Sequence, residues 1–330
     1  MKILKKIFKW IGITVLTLLI ILTVVIIAKQ NEKFDAPYPD IHASSDSLVI
    51  AKGKYLFYGP AHCVDCHVNK PDYPQITEVE KIPPTGNFLF ALPIGEIHTP
   101  NLTSDKETGI ARLTDAEIAR TLRYGVGSDG RAMLDFMPFH NTSDEDLTSI
   151  ISYLRTIPAV KKEVPGPHYN LLGRIIKPFV LKPVGPEGDV AVRVEEGPTV
   201  EYGKYLANSV ANCKGCHTNT DMMTGKDIGE PFAGGFKIEV EGKPGEFIVT
   251  RNLTPDPETG HIYSWTEEQF INRFRTGKLI QETIMPWDAF KHMSDDDLKA
   301  IFRYLNTVKP VKNDVGPVLV NENAPQTAGK

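Results

Sequence analysis

Cysteine is scarce in this chain, four residues in 330, which is too few for a disulfide scaffold. Basic charge is short as well. The formal net charge is −4, and four of the cations, Lys2, Lys5, Lys6 and Lys9, are gathered at the N-terminus. Without them 33 basic residues face 41 acidic ones, a net charge of −8 for the rest. Such a body repels phosphate, which excludes nucleic acid as a partner and favours a basic or neutral partner surface. Nothing else is in deficit. With 41% hydrophobic and 24% charged residues there is apolar material for compact cores, and the length suits two domains.

All four cysteines fall in two five-residue stretches, Cys63-Val64-Asp65-Cys66-His67 and Cys213-Lys214-Gly215-Cys216-His217. Each reads C-x-x-C-H, the attachment signature of c-type haem. Two thiols three residues apart can add to the two vinyl groups of one porphyrin. The histidine that follows sits under the iron, where a neutral imidazole ligates. A redox dithiol does not call for the histidine twice. A four-cysteine zinc site fits poorly with pairs 150 residues apart. Two covalently bound haem c groups are the expectation.

Trp10 to Ala28 is a run of 19 residues without a charge. At 1.5 Å per residue it nearly matches a ~30 Å hydrocarbon core. No A-x-A site follows it, and it exceeds the usual ~7–15 residues of a signal peptide. We therefore expect residues 1–9 in the cytoplasm, 10–28 as an uncleaved single-pass anchor and the rest on the far side, in a bacterium the periplasmic face of the inner membrane. Residues 29–47 are polar and aperiodic and read as a tether.

The remainder repeats itself. Gly53-Lys54-Tyr55-Leu56 and Gly203-Lys204-Tyr205-Leu206 each stand ten residues before a first cysteine. Asn101-Leu102-Thr103 and Asn252-Leu253-Thr254 match, as do Glu107-Thr108-Gly109 and Glu258-Thr259-Gly260. These Asn-x-Thr triplets fit the glycosylation pattern, but their repetition in a turn-like setting favours a structural role, on a loop or a haem propionate. Thr114 with Glu117 and Thr266 with Gln269 predict capping boxes, and Gly125 and Gly277 left-handed helix ends. Ser143 and Ser294 each open an acidic turn followed by an apolar stripe, Leu147, Ile150, Ile151, Leu154 and Leu298, Ile301, Phe302, Leu305. These last helices are expected to cross the Gly-x-Tyr helices, with Gly53 and Gly203 at the crossings. The predicted domains are 48–162 and 198–312. Residues 163–197, rich in proline and glycine, read as a linker whose apolar residues pack partly on a domain, and 313–330 as a loose tail.

An iron with one histidine needs a ligand opposite or an open site. Met137-Pro138-Phe139 lies 70 residues after His67, and Met285-Pro286-Trp287 lies 68 after His217. Proline stiffens each loop, and a thioether there can face the iron. Met133 and Met293 compete without a matched Met-Pro, and His140 and His292 offer a weaker bis-histidine alternative. Met222 and Met223 follow His217 too closely.

Taken together, C-x-x-C-H, Asn-Leu-Thr-x-Asp-x-Glu-Thr-Gly, the Arg-x-Gly helix end, Met-Pro-aromatic and Asp-Leu…Tyr-Leu resemble the class I cytochrome c domain. More narrowly, they resemble the multihaem cytochrome subunits of membrane-bound alcohol, gluconate and fructose dehydrogenases. The resemblance implies an all-α chain, two tandem class I cytochrome c domains after one transmembrane helix. It implies thioethers at Cys63, Cys66, Cys213 and Cys216 and axial pairs His67/Met137 and His217/Met285. It also implies a relay of electrons from a dehydrogenase or quinol towards a respiratory acceptor such as a soluble cytochrome or terminal oxidase. Such a chain is a carrier with no catalytic residue of its own. A dihaem peroxidase, which needs an open sixth position, is the rival.

Overall fold

The computed structural model describes residues 2–72, 75–76, 78–221, 225–240 and 242–323. Helix α1, Lys2–Lys29, has no buried residue and a mean hydropathy of 3.0 in its most apolar stretch. It is long and apolar enough to cross a membrane. The chain then runs without regular structure to Asp46, but it is not a free tether. Ala36 and Ile41 are buried, and the Phe34 N–H donates to Gly130 O at 2.8 Å. Arg120 reaches up to this strand, donating to Phe34 O at 2.9 Å and lying 4.6 Å over the Tyr38 ring.

The first repeat contributes α2 (Ser47–Tyr58), α3 (Val64–His67), β1 (Leu89–Leu92), β2 (Gly95–His98), α4 (Asp115–Tyr124), α5 (Asp144–Thr156), β3 (His168–Tyr169) and α6 (Leu171–Val180). The second contributes α7 (Val200–Tyr205), which runs on into a π turn, α8 (Cys213–His217), β4 (Lys237–Glu239), β5 (Glu246–Val249), α9 (Glu267–Thr276), α10 (Trp287–Phe290), α11 (Asp295–Leu305) and β6 (Leu319–Asn321).

The architecture is therefore not all-α. Each repeat carries a three-stranded antiparallel sheet, β1-β2-β3 in one and β4-β5-β6 in the other. The hairpin β1–β2 pairs Leu89 with His98 through Leu92 with Gly95, and β4–β5 pairs Lys237 with Val249 through Glu239 with Phe247. Strands this short carry too little alternation to stand out from a loop. The third strand is remote in sequence: β3 comes from the stretch expected as linker, and β6 from the stretch expected as a loose tail. Both sheet strands thus lie beyond the expected domain limits at 162 and 312. Residues 324–330 of that tail are outside the described residues.

Helix ends follow the local chemistry. Thr114 and Thr266 form capping boxes with Glu117 and Gln269, and Ser143 and Ser294 accept from the N–H groups of Asp146 and Asp297. Gly125 is a left-handed cap (φ 59°, ψ 29°), whereas Gly277 at φ 72°, ψ −150° is not. The stripes on α5 and α11 are buried against α2 and α7. The crossings are backbone to backbone. A Cβ on Gly53 would lie 1.8 Å from Ser149 O, and one on Gly203 would lie 1.9 Å from Ala300 O.

The buried apolar residues of both repeats form one continuous cluster. At the junction the two equivalent tyrosines cross over. Tyr55 OH donates to the Asp297 carboxylate and accepts from the Ser294 N–H at 2.8 Å. Tyr205 OH donates to Asp146 Oδ2 at 2.6 Å and accepts from the Ser143 N–H at 3.0 Å. Each tyrosine thus completes the helix cap of the other repeat.

Candidate functional site

In both repeats the residue before the first cysteine takes a left-handed backbone, His62 at φ 39° and Asn212 at φ 44°. A short helix then carries Cys, Cys and His in one turn. Burial pushes the Cys63 and Cys213 thiols up to about 12, each with its partner cysteine adding to the shift, and Cys66 up to about 11. An environment that raises thiols in this way is the opposite of the one a poised redox dithiol needs. Among the described residues no three His, Cys, Asp or Glu side chains converge as they would on a bare metal ion.

Both motif histidines are oriented by a backbone carbonyl. His67 Nδ1 lies 3.1 Å from Pro100 O, and His217 Nδ1 lies 2.8 Å from Arg251 O. A carbonyl only accepts, so Nδ1 carries the proton and Nε2 keeps its lone pair for a ligand. Burial outweighs that bond and holds His67 down to about 4, and it lowers His217 too, so both are neutral at pH 7. The loops bearing these carbonyls are pinned in matching ways. Thr99 Oγ1 accepts from the Phe88 N–H at 3.0 Å and donates to Cys66 O at 2.8 Å, and Thr250 Oγ1 accepts from the Phe236 N–H at 3.1 Å.

The Asn-Leu-Thr triplets are the next anchor. Asn101 Nδ2 donates to Thr108 Oγ1 and to Val160 O, and Asn252 Nδ2 to Thr259 Oγ1 and to Val311 O. Both asparagines are buried, at 1% and 0% exposed, so neither offers a surface for a glycan.

In the first repeat Cys63, Cys66, His67 and Met137 line one cavity of about 790 Å³. Its walls are mostly apolar, with Phe57, Ile97, Leu102, Ile110, Leu113 and Leu154 among them. The volume suits a cofactor. Met133 lines the same cavity, and so do Lys29, Gln30, Lys177 and Pro178. The Met-Pro turns share one hydrogen bond, from the Phe139 N–H to Met137 O at 2.8 Å and from the Trp287 N–H to Met285 O at 2.7 Å, which closes a three-residue turn around each proline; only the second runs straight into a helix, α10. Met137 and Met285 are partly buried against the core, while Met293 is fully buried core packing. Met222 and Met223 lie outside the described residues.

The imidazole of His140 is spent elsewhere, with Nδ1 3.0 Å from Arg123 O and Nε2 2.8 Å from Asp135 Oδ1. His292 is exposed. The arginines of the Arg-x-Gly helix ends have a job that spacing alone does not reveal. Arg123 donates to Asp144 at 2.6 Å and Thr142 O at 2.8 Å, and Arg275 to Asp295 at 2.5 Å and Met293 O at 2.8 Å. Each ties the end of one helix to the start of the last, with the Met-Pro turn held between them.

No family model matches the chain. Curated relatives do. It is 27% identical over 320 residues to the fructose dehydrogenase cytochrome subunit of Gluconobacter japonicus, covering 91% of this chain and 60% of that protein. The chain is similar to dehydrogenase cytochrome c subunits. A second relative, the gluconate 2-dehydrogenase cytochrome c subunit of Pantoea cypripedii, is 27% identical over 80% of this chain and 60% of its own length. A third, a diheme cytochrome c-type protein of Cereibacter sphaeroides, is 24% identical over 79% of this chain and 86% of its own. The chain thus spans about 60% of the two dehydrogenase subunits it matches.

Proposed function

We propose that the chain is a dihaem electron carrier, anchored in the inner membrane by α1 with both repeats on the periplasmic side. It passes electrons one at a time from a dehydrogenase or quinol to a respiratory acceptor, and it is an electron-transfer subunit without catalysis of its own. One observation carries the reading. Each repeat pairs a Cys-x-x-Cys-His turn, its imidazole aimed by a carbonyl, with a Met-Pro turn closed by the same hydrogen bond. Only the haem supplies the one-electron chemistry when bound. The chain's own residues hold and tune it. Cys63 and Cys66, and Cys213 and Cys216, form the thioethers. Pro100 O and Arg251 O turn the imidazoles of His67 and His217, which burial keeps neutral, so that each would be ready to ligate. Pro138 and Pro286 stiffen the turns that present Met137 and Met285 as the opposite ligands. With both axial positions filled, an iron exchanges electrons and does not readily take substrate. Support for two haems comes from the repeat itself, and support for a dehydrogenase partner from the names of the relatives.

Oxidised protein should show the weak red sulfur-to-iron charge-transfer band. Met137→Ala and Met285→Ala should each remove about half of it, lower the potential of one haem and open one iron to carbon monoxide. Met133→Ala should leave the band intact. Rapid reduction of hydrogen peroxide by the unmutated protein, with one iron high-spin, would replace the carrier by a peroxidase.

A further inference from the structure

Helix α6 is built the wrong way round for a soluble protein. On a helical projection Leu171, Leu172, Ile175, Phe179 and Val180 lie on one side, with Gly173, Arg174, Lys177 and Pro178 on the other. The small residues of the second side face the protein, with Lys177 half-buried beside them and Arg174 exposed. Gly173 and Pro178 are buried, and a Cβ on Gly173 would lie 2.0 Å from Ile94 O. Arg174 Nε donates back to Tyr169 O at 3.1 Å, and Lys177 lies 5.0 Å over the Tyr169 ring. The apolar side, which also holds Ile176, points out: Ile176 is half-buried and the other five residues are between 42% and 76% exposed. A contiguous apolar face of this kind needs a cover.

The cover is identified by where α6 is fastened. The helix packs on α1. Gln30, the residue after α1 ends, donates its side-chain N–H to Arg174 O. Two residues on, Glu32 pairs with Lys182 at 2.9 Å. Arg174 is therefore held two residues past Ala28, the last apolar residue of the span, only ~3 Å further along a helix axis. If α1 crosses a bilayer, α6 cannot leave its surface.

We propose that α6 is an interfacial helix that lies in the surface of the bilayer α1 spans, its apolar face sunk among the acyl chains and Arg174 and Lys177 at headgroup level. The inference rests on the anchoring of α1. The arrangement is that of a monotopic amphipathic helix, with apolar burial as the main attraction and cations beside anionic headgroups as the second. It gives the chain two membrane contacts where the sequence has one long apolar run. It also sets orientation, because α6 is fastened to the first repeat: Asn170 Nδ2 donates to Pro93 O at 2.9 Å, and β3 completes that repeat's sheet.

The test uses the full chain in vesicles of phosphatidylcholine and phosphatidylglycerol, with a bilayer-dissolved aryl diazirine read by mass spectrometry. Label is expected on α1 and on Leu172, Ile175 and Phe179, with Arg174 spared. Tyr263 and Leu279, exposed apolar residues of the second repeat, should stay unlabelled. Ile175→Glu with Phe179→Glu, both at exposed positions, should abolish the α6 label while that on α1 and the haem absorbance stay unchanged. Label on α1 but not on α6 would overturn this proposal alone, whether water or a second protein covers the face. Label on neither would overturn the anchor and the proposal together. Equal label on α6, Tyr263 and Leu279 would mark mere apolar exposure and overturn it as well.

Discussion

The two repeats agree where the chain must hold a cofactor and differ around it. The carbonyl behind each histidine, the Met-Pro turn, the arginine clamp and the buried asparagine recur in both. The junction does not. Asp146, in the first repeat, meets Lys52 at 2.6 Å as well as Tyr205. Position 202, the counterpart of 52, is a buried tyrosine, so among the described residues Asp297 has Tyr55 and no counterpart of Lys52. Burial raises the Asp297 carboxyl above the usual range, against the pull of Tyr55 and Ser294. Lys52 is raised: burial alone would lower it, but Asp146, Glu196 and Glu145 outweigh that. Geometry around the two Cys-x-x-Cys-His turns is thus duplicated, while the charge between the repeats is not; on the dihaem reading proposed above, charge is one lever by which two otherwise equal haems would take different potentials.

The largest expected effect tests the likeness. Gly53→Ala and Gly203→Ala each drive a Cβ into a carbonyl oxygen and should cost about 3 kcal/mol or more, nearly equally, in denaturant unfolding followed at the haem absorbance. A large inequality would show that only one crossing is tight. Next comes the contrast at the junction. Tyr55→Phe strips Asp297 of its main side-chain donor and should cost about 1–3 kcal/mol; Tyr205→Phe should cost less, since Lys52 still serves Asp146. The double variant should also change the coupling between the two haem potentials in a redox titration. Equal losses would mean that Lys52 contributes nothing to the latch.

The smallest effect belongs to one repeat only. Burial would lower His140, but its bond to Asp135 prevails and raises it. A histidine raised on folding contributes stability that is fully present below the unfolded value near 6.5 and is lost as pH climbs through the folded one. The loop around Met137 should therefore loosen as pH rises above the unfolded value, read as faster hydrogen exchange of residues 133–140. His140→Gln should flatten that dependence, and the Met285 loop should show none of it.

Much of the candidate site was legible because it is written in contiguous residues: C-x-x-C-H, Met-Pro-aromatic, the capping boxes and the crossing glycines. What escaped lies in four kinds of interaction. Pro100 O and Arg251 O act through backbone, which any residue supplies. The sheets are made of strands two to four residues long, closed by β3 and β6 from segments that read as linker and tail. The apolar residues of α6 signal burial but not its direction: the segment does pack on the first repeat, but mainly through Gly173 and Pro178, and most of the apolar residues face away. The repeat also made Tyr55 and Tyr205 equivalent without showing that each serves the other's helix.

That exchange has a consequence for symmetry. Every repeat carries both parts of the latch, a tyrosine and a Ser-x-x-Asp cap, so the contact is self-complementary in the way of a two-fold dimer. A chain with one repeat would hold all that is needed to pair with a copy of itself. Joining the copies in tandem makes the pairing intramolecular and independent of concentration. It also releases the two faces from having to be identical, as positions 52 and 202 already illustrate: unequal contacts on a pseudo-symmetric frame.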